Sequence, residues 1–282
     1  MRHSSIPFAL TLALVLTPAC AVAKAADSLP AAPSSAATYA DLADLTDHAP
    51  LVIRAQVRKL VAVDPARAPG LRAGQGRFYV EARTQAVLFG SSGLGEQLRY
   101  LVDLPLDAKG KPPKLRKQTV ILFARPVASR PGELQLVARD AQLAWDSVLE
   151  GRLGKVIAEL NAPGAIQAIS GLREAISIGG DLAGESDTQL FLATADGEPA
   201  AITVSRSPGR APRWSVSFSE LVGDDSSVPA RDTLAWYRLA CFLPPALPAG
   251  VITSSTAPDR ARAAADYRFV LEQLGPCPRS RS

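Results

Sequence analysis

Between Arg77 and Phe89 polarity alternates along the chain. Phe78, Val80, Ala82, Ala86 and Leu88 fall on one face, and Arg77, Tyr79, Glu81, Arg83 and Gln85 on the other. Successive side chains of a β-strand point to opposite faces, so this stretch makes a strand with one buried and one wet face. The same reading covers Leu51 to Val63, Gln97 to Val102, Thr119 to Arg125 and Glu133 to Ala138. Glycine and proline punctuate the intervals, as at Gly90-Ser91-Ser92-Gly93 and Arg130-Pro131-Gly132. Five strands thus occupy about 90 residues.

One-sided strands leave hydrogen-bonding edges exposed, and closing the sheet on itself removes them. The expected first domain, residues 39–144, is therefore a five-stranded antiparallel β-barrel. It resembles an OB-type barrel in strand count alone, with a β-sandwich as the alternative. Tyr39 to Leu45 precedes it as a short helix, with Thr38 at the N-cap and acidic residues in the first turns.

From Trp145 the period becomes helical, with Leu149, Leu153, Val156, Ile157 and Leu160 on one stripe before Asn161-Ala162-Pro163-Gly164. Gly171 to Ala175 reads as a short helix inside the ambiguous Ile166 to Ile178 segment. A three-stranded meander follows: Gln189 to Thr194, Ala200 to Ser205 and Trp214 to Phe218. Helices over Arg231 to Leu243 and Ala261 to Leu274 close the chain, the second ending at Gly275-Pro276. The fold class expected is α+β, with residues 145–282 as a second, α+β domain.

The N-terminus carries an export pattern. Met1-Arg2-His3 is basic, Ile6 to Leu16 is apolar, and small residues follow, with Ala-x-Ala cuts after Ala23 or Ala25. The apolar run is shorter than the roughly 20 residues a membrane helix needs. Residues 1–25 are thus read as a signal peptide and 26–38 as an Ala/Pro/Ser-rich tether. Cys20 follows Thr17-Pro18-Ala19, a poor lipidation context, and is expected to leave with the signal. Cys241 and Cys277 remain, and in an oxidising compartment two cysteines pair. The expected location is periplasmic or secreted, with no membrane span after cleavage and no nucleic-acid partner.

No catalytic motif emerges. His48 is the only histidine past the signal, and no GxSxG sequence exists to make a serine nucleophile's elbow. No cofactor or metal motif is present either: there is no CxxC pair, and Gly90 to Gly95 lacks the Lys-Ser/Thr of a phosphate loop. Asp181, Glu185 and Asp187 in a glycine-rich loop read best as a solvated turn; as paired acid and base on an envelope polymer they define a hydrolase alternative.

Charge supplies the main functional reading. The chain totals +4, yet residues 54–140 carry 16 basic and 7 acidic side chains, while 141–230 carry 6 and 12. Lys109, Lys111, Lys114, Arg116 and Lys117 crowd one loop, and Arg77, Tyr79, Arg83 and Arg99 share the outward parity of neighbouring strands. Such a surface suits an anionic polymer or a protein partner, with Tyr79 as a stacking ring. The expectation is an exported, non-catalytic envelope protein that binds through this basic face.

Overall fold

The structure is a computed structural model that describes residues 37–90, 94–218 and 227–281. The expected signal segment, its two expected cleavage sites, Cys20 and most of the expected tether lie outside the described residues.

Five strands close into a barrel: β1 (Leu51–Ala62), β2 (Gln75–Phe89), β3 (Gln97–Pro105), β4 (Thr119–Pro126) and β5 (Glu133–Leu136). Their order around the ring is β1-β2-β3-β5-β4, and β4 pairs back onto β1 from Leu51↔Ala124 to Gln56↔Thr119. The barrel is not wholly antiparallel as expected. β3 and β5 run parallel, joined at Arg99↔Glu133 and Tyr100↔Leu134. The reason is parity: five strands in a ring cannot alternate direction at every neighbour, so one pair must run the same way. β1 reaches both neighbours because register shifts against β2 bend it along its length.

Alternation predicts burial well here. Phe78, Val80 and Ala82 of β2 are buried, as are Leu98, Tyr100 and Val102 of β3 and Ile53, Ala55 and Val57 of β1. Burying each large apolar side chain contributes about 1.5–3 kcal/mol relative to leaving it exposed. A short sixth strand that the pattern did not reveal, β6 (Gln142–Ala144), extends the sheet along β4, and Tyr100 Oη donates to Gln142 at 2.6 Å.

Two helices lie beside the barrel. α1 (Tyr39–Asp47) begins at Thr38 with a reciprocal capping box to Asp41, and α2 (Ser147–Leu160) begins at Asp146, whose carboxylate accepts from Leu149 N. The second sheet is a meander of four strands, not three: β7 (Ile169–Gly179), β8 (Ser186–Thr194), β9 (Ala201–Arg206) and β10 (Arg213–Ser217), in the order β10-β9-β8-β7. The extra strand is the segment expected to hold a helix at Gly171 to Ala175. Its buried residues Ile169, Leu172 and Ala175 stand three apart, which imitates a helical period. Two register shifts against β8, at Ile169/Gly171 and Leu172/Glu174, produce that spacing in an extended chain.

α3 (Leu234–Ala240) and α4 (Ala257–Leu274) complete the fold. Buried Asp266 of α4 accepts from Arg206 Nε of β9 at 2.7 Å and from Thr188 Oγ1 of β8, tying the helix to the sheet. Cys241 and Cys277 form a disulfide with their Cα atoms 5.1 Å apart. Beyond it the tail folds back on α1: Arg279 meets Asp44, and Ser280 N and Oγ donate to Asp41. The buried apolar residues of barrel, second sheet and helices belong to one continuous core. Among the described residues no helix is long and apolar enough to cross a membrane.

Candidate functional site

The outer face of β2 and β3 is a ladder of direct partners: Arg77 opposite Asp103, Tyr79 opposite Leu101, Glu81 opposite Arg99. At its β5 side the barrel wall opens. β3 and β5 share only two residue pairs before β5 follows β4, and the chain returns to β3 further on, where Asp103 N donates to Arg139 O at 2.8 Å. The gap between is a cleft of about 730 Å³, within the range of small-molecule sites.

Its apolar lining includes Tyr79, Leu101, Val127 and Val137, with Leu101 49% exposed in the middle of a strand. Four arginines surround it: Arg77, Arg99, Arg130 and Arg139. The two lining carboxylates are already engaged. Asp103 accepts from Arg77 Nε at 2.7 Å and Nη2 at 2.8 Å, with side-chain exposures of 14% for Arg77 and 3% for Asp103. That paired hydrogen bond raises the pKa of the Arg77 guanidinium above its ordinary value. Glu133 meets Arg130 at 3.3 Å. Arg99 is exposed and has no ion-pair partner among the described residues, and Arg139 gives a hydrogen bond to the carbonyl of Gly70.

Two glycines hold the loops that flank the cleft. Gly132 has φ +80, and a Cβ there would lie 2.7 Å from Gln97 O; its own carbonyl accepts from Arg99 N at 2.8 Å. The turn bearing Arg130 can therefore lie flat against the start of β3 only without a side chain at this position. Gly70, at φ +70, sits against the Arg139 guanidinium, which a Cβ would meet at 2.8 Å.

The predicted binding residues do not all meet here. Arg77, Tyr79 and Arg99 line the cleft, although Arg77 is committed to Asp103. Arg83 pairs with Glu96 and borders a separate, polar depression with Arg54, Gln56 and Trp145. Lys109, Lys111, Lys114, Arg116 and Lys117 are exposed on the loop between β3 and β4 and line no part of the cleft. That loop is held by its own turn and by the barrel: Asp107 Oδ1 accepts from the backbone of Lys109 and Lys111, Leu115 packs on the core, and Lys117 N donates to Val57 O. Among the described residues its five cations have no ion-pair partner. Arg130 and Arg139 were not foreseen. Arg130 stands in a Pro-Gly turn and Arg139 past the end of the strand pattern, so neither carries a periodic signal.

The carboxylates of the hydrolase alternative lie elsewhere. Asp181 and Glu185 are in the hairpin turn joining β7 to β8, where Glu185 Oε2 accepts from Leu182 N; Asp187 accepts from Ser205 Oγ at 2.6 Å. None of the three lines the cleft. His48 caps the end of α1 with Nδ1 2.8 Å from Asp44 O. Among the described residues, no group of three or more His, Cys, Asp or Glu side chains is placed to hold a metal ion.

By its architecture the chain is a mixed α+β protein with a closed five-stranded barrel, a second sheet and a disulfide-bonded C-terminal region. No protein family matches it, and no curated protein does either.

Proposed function

We propose that the protein is an exported, non-catalytic envelope component that binds an anionic polymer or an acidic partner through the basic outer face of its barrel. The observation that carries this reading is the set of cations without an ion-pair partner among the described residues, Arg99 beside an apolar cleft and five more on the β3–β4 loop. Cations that are not engaged in an ion pair are free to bind an anionic ligand and attract one from a distance. The ring order β1-β2-β3-β5-β4, with its parallel β3–β5 pair, supports an OB-type description, and in OB barrels the face of the second and third strands takes extended ligands. Export rests on the N-terminal pattern and on the disulfide, which persists in oxidising compartments.

The test is retention on an anionic matrix such as heparin. Replacing Lys109, Lys111, Lys114, Arg116 and Lys117 by Gln lowers the salt concentration needed for elution and flattens the dependence of affinity on salt, because fewer counterions are released. Unchanged retention and slope would refute a role for the loop.

A further inference from the structure

The cations of the barrel face are divided by type. Those around the cleft are all arginines, 77, 99, 130 and 139, whereas four of the five on the β3–β4 loop are lysines. The two side chains do different work. A guanidinium presents a planar fork that matches a carboxylate in two hydrogen bonds, while an ammonium acts as a mobile point charge. The cleft also contains what a purely electrostatic site does not need, an apolar lining that includes Tyr79, Leu101, Val127 and Val137.

Resting on the reading above, we infer that the cleft is a site for a short stretch of carboxylate-bearing sugar chain. Arg99 and Arg139 receive the carboxylates, and Tyr79 with Leu101 supports the apolar face of a sugar ring. Arg77 is excluded from direct recognition because Asp103 takes both its Nε and its Nη2, whereas Arg139 gives only Nη1 to Gly70 O and keeps its other donors. Arg77 acts instead on the site's shape, donating to Pro69 O while Arg139 donates to Gly70 O, so that both arginines fix the β1–β2 loop beside the cleft. Polyphosphate lacks an apolar face and gains nothing from Tyr79 and Leu101. An acidic peptide lacks the flat ring of C–H groups that stacks on an aromatic. The lysine loop supplies attraction at a distance and no selection.

The experiment is calorimetric titration of the full processed protein with short oligogalacturonates, against polyphosphate, oligoglutamate and a neutral oligosaccharide of equal length. Circular dichroism confirms the fold of each variant. Arg99→Lys and Arg139→Lys keep the charge and remove the fork, and each is expected to weaken oligogalacturonate binding about tenfold. Tyr79→Ala is expected to weaken it by a similar factor of about ten. The loop variant with five glutamines shifts this affinity only about twofold, because its lysines act at a screened distance. Full affinity in both Arg→Lys variants would overturn the inference yet leave the polyanion reading standing, since charge alone would then suffice. Equal or tighter binding of polyphosphate or oligoglutamate, or equal binding of the neutral sugar, would overturn the sugar assignment. If the wild-type protein binds none of the anions, both readings fall.

Discussion

Replacing Cys241 and Cys277 together by serine tests how the last helix is held. The bond closes a loop spanning 36 positions, which includes all of α4. In the chain-entropy account, a cross-link of that span restricts the unfolded chain enough to stabilise the fold by about 4 kcal/mol. The native contacts around it do not depend on the sulfurs. Trp236 Nε1 donates to Leu274 O at 2.9 Å, Tyr267 Oη donates to Pro244 O at 2.5 Å, and Asp266 stays tied to Arg206 and Thr188. The double variant should therefore keep its near-ultraviolet circular dichroism at room temperature while its stability falls. For a chain of this size about 4 kcal/mol corresponds to a Tm lower by roughly 8–16 °C. Hydrogen exchange should quicken first around residues 275–281, beyond the Gly275 cap, before it changes in the barrel strands. Chemical reduction of the wild-type protein should reproduce the shift. An unchanged Tm, with thiol titration showing the wild-type bond intact, would refute the entropic argument. Loss of tertiary signal at room temperature would show that the bond organises the native packing itself.

Two further outcomes follow from charged groups. Asp103→Ala leaves the largely buried Arg77 guanidinium unpaired and should cost about 3 kcal/mol in urea denaturation; a loss below about 1 kcal/mol would show that water replaces the carboxylate. Burial pushes the Asp41 carboxyl up, but hydrogen bonds from Ser280 and Thr38 outweigh it and hold its pKa below the ordinary value. A depressed carboxylate contributes stability above its unfolded pKa of about 3.9, lost as the pH falls through the folded value. Asp41→Asn should accordingly flatten the acid limb of a stability–pH profile below about pH 4 and leave its slope near neutrality alone. A parallel, merely lowered curve would remove Asp41 from that limb.

Local order was legible in the residues themselves. The alternation from Phe78 to Ala82 fixes a strand because a pleated chain offers only two faces, and Thr38 with Asp41 marks a helix start because an N-terminal turn lacks partners for its amide protons. The cysteine pairing was readable by elimination, since only Cys241 and Cys277 lie beyond the expected signal segment. The failures were also local. β7 passed for a helix because bulges set its buried residues three apart, and periodicity cannot see a bulge. Everything that depends on closure was decided in space. The parallel contact of β3 with β5 follows from the parity of a five-membered ring, which no single strand records.

The candidate site divides in the same way. Sequence parity put Arg77 and Tyr79 on the polar face of one strand and Arg99 on that of the next, because residues two apart on a strand share a side. It could not show that Asp103 occupies Arg77, that the lysine loop lies apart from the cleft, or that Arg130 and Arg139 border it. Those residues are 31 and 40 positions from Arg99 in the chain, and they reach it only because a short β5 pairs with β3 for two residues and then departs along β4. The chemistry of each group belongs to the sequence, and its neighbours belong to the fold, since a local period fixes which way a side chain points while only barrel closure fixes what stands opposite.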